Sequence, residues 1–141
     1  MMGVLLGLDF GEKRIGTAVT DEGGSIAMPL GTIMVQGRKQ VLLELTRLMD
    51  QYRVEKIIVG LPKTLKDEMG IAAKKVTEQV QWLKTHIDKP WIFWDERLST
   101  QEIERVLLRA DVSRAKRREV RDRLAAQRIL QGYLDHQRER A

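Results

Sequence analysis

Apolar and polar positions change their period twice along the chain. Val4–Phe10 is a short apolar run interrupted near its end by Asp9, and it reads as a buried strand. Gly11-Glu12-Lys13-Arg14 reads as a turn, Ile15–Thr20 as a second strand, and Gly23-Gly24 turns the chain into a third, Ser25–Val35. Short turns between successive strands predict an antiparallel meander. The period then becomes helical, with Val41, Leu42, Leu45, Leu48, Met49 and Tyr52 on one face. Lys56–Gly60 is a short apolar strand of the kind that lies inside a parallel sheet. Ala72, Ala73, Val76, Val80 and Leu83 mark a second helix, and Trp91–Asp95 a fifth strand. Ser99 and Glu102 form a capping box that opens a third helix through Ile103, Val106, Leu107 and Ala110. The basic segment Asp111–Arg118 leads into a last helix, read over Val120–Leu134.

Strands joined through helices run parallel, with right-handed crossovers. The order therefore predicts an α/β fold: a mixed five-stranded sheet, made of a three-strand antiparallel meander plus two parallel strands, with helices on both faces. Sites in such sheets form beyond the carboxyl ends of the parallel strands. Asp9, Gly60-Leu61-Pro62 and Asp95-Glu96 all fall there.

Asp122 breaks the pattern of the last helix. Ala125, Ala126, Ile129 and Tyr133 follow it at offsets of three, four, seven and eleven, so a carboxylate occupies the stripe meant for the core. Arg121, Arg123, Gln127, Arg128 and Gln131 take the other side. An ionised carboxylate in an apolar setting persists only when paired or bound to a cation. Asp9 and Glu96 likewise end apolar runs, and three such acids suggest one shared site. Without a histidine or cysteine partner they suit a hard, oxygen-seeking cation, Mg²⁺ or Mn²⁺. That is the kind of site that phosphodiester hydrolysis uses. Each acid also has an ordinary reading: Asp9 bonded to the turn at Gly11, Glu96 paired with Arg97, Asp122 paired with an arginine of another element. The residues alone do not choose between Glu96 and its neighbour Asp95.

Length and composition narrow the picture further. At 141 residues the chain suits a single domain, 1–141. It has no cysteine, which excludes disulfides and cysteine-based zinc sites. With no signal-like start and no long apolar span, a cytoplasmic location and no membrane are expected. Residues 1–96 hold thirteen cationic and thirteen acidic side chains, so the whole net charge of +5 lies in the last third. There Arg114, Lys116, Arg117, Arg118, Arg121 and Arg123 fall within ten positions, a cluster that attracts polyanions, nucleic acid above all. A solvated helix face is the plainer alternative. His86 and His136 read as surface residues near helix ends, and Trp82, Trp91 and Trp94 as core, with Trp91 and Trp94 on opposite faces of their strand.

Four ordered segments then carry a resemblance: Leu8-Asp9-Phe10-Gly11-Glu12-Lys13-Arg14-Ile15-Gly16, Val59-Gly60-Leu61-Pro62, Asp95-Glu96-Arg97-Leu98-Ser99-Thr100 and Asp122-Arg123-Leu124-Ala125-Ala126. In order and spacing they resemble the YqgF (RuvX) family over essentially the whole chain. The resemblance implies a ribonuclease H-like fold and Asp9, Glu96 and Asp122 as catalytic, metal-holding acids. It implies a metal-dependent endonuclease with Mg²⁺ or Mn²⁺, maturing the 5′ end of pre-16S ribosomal RNA, or alternatively a Holliday-junction resolvase acting on four-way DNA. Lys13, Arg14, Arg97, Arg114, Lys116, Arg117 and Arg118 become the candidate nucleic-acid contacts, in a monomer or a homodimer. The loop after Pro62 departs from the family, with Asp67 and Ile71 where many members carry glycine and proline. Two other classes remain as alternatives. An actin-like nucleotide-binding protein would share the Asp9-Phe10-Gly11 hairpin but needs a second domain, and a non-catalytic nucleic-acid-binding module would keep the fold without the chemistry.

Overall fold

The computed structural model describes residues 3–61, 70–95 and 114–140, with no side chain described for 72, 95, 114–122 and 138–140. The elements run β1 (Val4–Phe10), β2 (Arg14–Thr20), β3 (Ala27–Met34), α1 (Arg38–Tyr52), β4 (Val54–Leu61), α2 (Ile71–Lys84), β5 (Trp91–Asp95) and α3 (Arg114–Arg140). The sheet order is β3-β2-β1-β4-β5. β2 is antiparallel to both β1 and β3, while β1, β4 and β5 are parallel to one another in the order given. This is the mixed sheet that the hydrophobic pattern predicts. The expected capping box and helix over 99–110 lie outside the described residues.

Local chemistry sets the turns. At the β1–β2 turn the Gly11 amide donates to the Arg14 carbonyl at 2.7 Å, and a Cβ on Gly11 would stand 2.9 Å from that oxygen. Only glycine closes so tight a turn. In the next turn the Asp21 carboxylate accepts from the Ser25 and Ile26 amides at 2.7 and 3.1 Å. Gln40, in the first turn of α1, accepts from the Gln36 amide and donates to the Met34 carbonyl, tying the helix start to the end of β3.

Alternation along each strand sends side chains to two separate cores. Leu6, Leu8, Ile15, Val19, Ile57 and Val59 pack against Val41, Leu45 and Met49 of α1 and Ala73, Val76, Val80 and Leu83 of α2. Leu5, Ala18, Ala27 and Ile58 pack on the opposite face against Ala126, Ile129, Leu130, Tyr133 and Leu134 of α3. Trp91 belongs to the first core and Trp94 packs on the second, on opposite faces as expected. Burying each large aliphatic side chain contributes about 1.5–3 kcal/mol.

The structure corrects one expectation about the last helix and gives two of its glutamines a partner. The basic segment does not lead into it: Arg114–Arg118 already form its first turns. Gln127 and Gln131, off the apolar stripe as expected, bond to the edge strand. Gln127 Nε2 donates to the Ala27 carbonyl at 3.0 Å, and the Ala27 amide donates to Gln131 Oε1 at 2.9 Å. Two glutamines one turn apart thus occupy the outward-facing backbone groups where the edge strand β3 begins. Unpaired groups of that kind are what makes an edge strand sticky.

Candidate active site

Asp9 owes its position to strand alternation. Leu6, Leu8 and Phe10 enter the α1–α2 core and Leu5 the α3 core, so Gly7 and Asp9 face α3. A Cβ on Gly7 would stand 2.9 Å from the Leu130 Cβ and 3.1 Å from the Ala126 carbonyl oxygen. Helix and strand are in direct contact there, and Gly7 is glycine because the helix leaves no room. Asp9 lies one pleat further toward the carboxyl end of β1 and is half-buried. Asp122 lies one turn before Ala126 in the same helix. Two of the three expected acids therefore belong to elements that pack on one face of the sheet.

The register sets the neighbours of Asp9. It pairs with Gly16 on β2 and with Gly60 on β4. Gly16 pairs in turn with Thr32, and Gly60 with Trp94. Registered partners share a face, which gives a row Thr32–Gly16–Asp9–Gly60–Trp94 across the sheet. Asp95 takes the next position on β5, in register with Leu61, a residue of the opposite core. Glu96 and Arg97 lie outside the described residues.

The candidate cations divide into two groups. Lys13 is exposed in the β1–β2 turn, where its carbonyl accepts from the Val35 amide at 2.9 Å, and Arg14 is half-buried at the start of β2. The hairpin holds both at the same end of the sheet as Asp9. Arg114, Lys116, Arg117 and Arg118 lie in the first turns of α3, and no acid sits in the first of them. Cations near a helix N-terminus oppose the helix dipole, at about 0.3–1 kcal/mol each. A bound polyanion would remove that penalty.

Two residues read one way in the sequence behave differently here. Arg123, assigned to the polar side, is half-buried, and its Nε has no hydrogen-bond partner among the described residues; the buried Thr32 hydroxyl oxygen shares that state. His136 is half-buried against Trp94, with ring centroids 5.2 Å apart, while His86 is exposed and stacks on Trp82 at 4.5 Å. Neither histidine lies in the row of Asp9. Gly16 and Gly60 stood in the motifs that the sequence offered, but no sequence signal marked Thr32 or placed the three in one row with Asp9, because that depends on strand register.

Oxygen-only donors on α/β elements fit a hard divalent cation better than zinc. Among the described residues no group of three or more acids, histidines or cysteines stands together. Of the expected set, Glu96 and the Asp122 side chain lie outside that description.

Comparison with known proteins now adds to this geometry. Among solved structures, RuvC of Thermus thermophilus in complex with Holliday junction substrate superposes with a TM-score of 0.60 at 14% identity, covering 99% of this chain and 98% of that one. The fowlpox virus resolvase bound to Holliday junction DNA superposes at 0.59 with 10% identity, covering 95% and 98%. At such low identity these two likenesses establish the ribonuclease H-like fold alone. Sequence relatives are much nearer. Proteins named "putative pre-16S rRNA nuclease" share 45% identity over 133 residues in Halothermothrix orenii, covering 94% of this chain and 95% of the relative. In Thermoanaerobacter pseudethanolicus the figures are 47% over 135 residues, covering 95% and 97%. The family model described as RuvX, Holliday junction resolvase, matches residues 3–136, and the chain belongs to that family.

Proposed function

We propose that this protein is a divalent-metal-dependent endonuclease that hydrolyses phosphodiester bonds in structured nucleic acid, with Asp9, Glu96 and Asp122 as its catalytic and metal-holding acids. The observation that carries this reading is the placement of Asp9. It stands next to last in the central strand of the sheet, between two glycines, on the face covered by the helix that contains Asp122. No other described acid is so placed. The favoured substrate is the precursor of 16S ribosomal RNA, the molecule named for relatives that align over nearly their whole length.

Asp9, Glu96 and Asp122 would hold Mg²⁺ or Mn²⁺. What such an ion supplies when bound is acidification of a coordinated water and neutralisation of charge on the leaving oxygen. The protein's own part is to fix the acids on rigid elements and to hold the substrate backbone across them. Asp9 is fixed by the central strand, with hydrogen-bonded strands on both sides. Asp122 is fixed by a helix locked onto that strand at Gly7. Lys13 and Arg14 on the hairpin, Arg97, and Arg114, Lys116, Arg117 and Arg118 on α3 would bind phosphates, which orients substrate without reading its sequence.

A second reading, cleavage of four-way DNA junctions, is favoured by the description of the family model and by the junction-bound structural neighbours. Symmetric cleavage of a two-fold junction calls for a homodimer with two active sites; trimming a ribosomal precursor does not. Both readings place the reaction in the cytoplasm, and among the described residues no helix is long and apolar enough to cross a membrane. The deciding experiment is depletion of the protein in cells, followed by mapping of 16S RNA 5′ ends. Accumulated 5′-extended RNA supports the first reading. Normal ends with defective recombination support the second.

A further inference from the structure

Asp9 has glycine on both flanks, and neither glycine is explained by its backbone. Among the described glycines only Gly24 and Gly37 adopt positive φ, so Gly16 and Gly60 stand in backbone conformations open to any residue. Glycine inside a strand costs roughly 0.5–1 kcal/mol relative to alanine. Where that cost is accepted without a conformational reason, a close neighbour or an approaching ligand is the usual cause. Gly7 shows the first cause plainly, since α3 rests on it.

Gly16 and Gly60 share the face of Asp9. Ala18, two residues beyond Gly16, and Ile58, two before Gly60, both enter the α3 core. The next side chains along the row are Thr32 on one side and Trp94 on the other. With strands about 4.8 Å apart, each lies roughly 10 Å from Asp9 in backbone terms. The Trp94 ring is taken up by α3, against Gly132, Tyr133 and His136. The Thr32 hydroxyl, on the outer wall of the Gly16 side, is a buried polar group without a partner among the described residues.

We infer that Gly16 and Gly60 are positioning residues that keep the row clear on both sides of Asp9, so that a phosphodiester group and its cation can reach the carboxylate. This rests on the active-site reading above and deepens it. Neither glycine touches the reacting atoms. Each acts by what it leaves out, and a single methyl group at either position would hold the backbone away from Asp9. Displacement on the order of 1 Å can cost about 100-fold in rate.

Four alanine substitutions test this, with Asp9→Asn alongside. Gly31→Ala is the neutral control, since a Cβ there meets nothing within 4 Å. Gly7→Ala is the packing control and should lower the melting temperature. The probes are a labelled 5′-extended 16S RNA fragment and a labelled four-way DNA junction. Gly16→Ala and Gly60→Ala should melt at or above the wild-type temperature and bind both probes in Ca²⁺ with unchanged affinity. Their single-turnover cleavage in Mg²⁺ should fall on the order of 100-fold. Wild-type cleavage by both variants, beside an inactive Asp9→Asn, overturns the inference alone. A melting temperature lowered as in Gly7→Ala also overturns it, since the glycines would then serve packing. Wild-type cleavage by Asp9→Asn overturns the active-site reading, and this inference with it.

Discussion

The two faces of the sheet are built from the same strands and serve different ends. On the α1–α2 face every inward position of β1 and β4 is a large aliphatic or aromatic residue, from Leu6, Leu8 and Phe10 to Ile57, Val59 and Leu61. Two amphipathic helices close over them. On the α3 face the same strands contribute Leu5, Gly7 and Asp9, then Ile58 and Gly60. Side-chain bulk falls away toward the carboxyl ends of the strands, and a carboxylate stands where the core stops. One face is filled for stability. The other is filled only as far as α3 needs, and is left lean where the chemistry is proposed. Mutations should therefore separate cleanly: the first face should report on folding, and the lean end of the second on rate.

The largest separation is expected at the acids. Asp9→Asn, Glu96→Gln and Asp122→Asn should each lower single-turnover cleavage by on the order of 100- to 1000-fold or more, with little loss of thermal stability. Cleavage should also vanish in chelator and return with Mg²⁺ or Mn²⁺. On the filled face, Leu45→Ala removes a fully buried side chain and should cost about 2–5 kcal/mol of stability, seen in urea denaturation. The folded fraction of that variant should cleave at the wild-type rate. A stable Leu45→Ala protein with poor chemistry would break the division between faces, as would an active Asp122→Asn.

A smaller effect is expected from the start of α3. Arg114, Lys116, Arg117 and Arg118 all belong to the helical backbone of α3. Changing all four to alanine should weaken nucleic-acid binding and reduce the log–log salt slope by up to roughly 3–4 for a duplex, if each meets a phosphate. Turnover at saturating substrate should change far less than in the acid variants. Removing four cations from the first turns should also stabilise the helix slightly, because they oppose its dipole. An unchanged slope would move the nucleic-acid surface elsewhere.

The fold was legible because period two and period 3.6 are distinct over short windows. β1 and β5 have the limits that the hydrophobic runs predict, Val4–Phe10 and Trp91–Asp95. Asp9 and Asp122 stood out as carboxylates inside apolar patterns. What sequence could not supply was anything that depends on register. The choice between Asp95 and Glu96 is one such case, since it turns on the register of β5, in which Asp95 is level with Leu61. Gly16 and Gly60 belong to motifs that the sequence shows, but that they flank Asp9 appears only when β1 is seen between them. That Gln127 and Gln131 bond to β3 could not be read either, because an edge strand, unlike a core, rewards amides. The basic segment reads as leading into the last helix because it carries no apolar stripe, yet Arg114–Arg118 are already helical. Ile71, at the position where the resemblance leads one to expect proline, opens α2 at the first helical position, a place in a helix that suits proline.

The smallest expected effect lies far from the site and tests the filled face alone. α1 ends at Arg53, whose φ and ψ are both 53°, in the left-handed region, and whose amide donates to the Met49 carbonyl. This is the position that glycine usually takes after a helix. A residue with a Cβ costs roughly 1–2 kcal/mol in that conformation, partly offset by the greater freedom that glycine gives the unfolded chain. Arg53 is exposed, so its side chain contributes little packing in return. Arg53→Gly should raise stability by about 0.5–1 kcal/mol, which at this size is a rise of roughly 2–4 °C in melting temperature. Cleavage should not change, since Val54 begins β4 at the end of the sheet opposite to Asp9. A drop in melting temperature would mean that the Arg53 side chain holds α1 onto the strand that follows. A drop in cleavage without one would mean that the filled face also serves the chemistry.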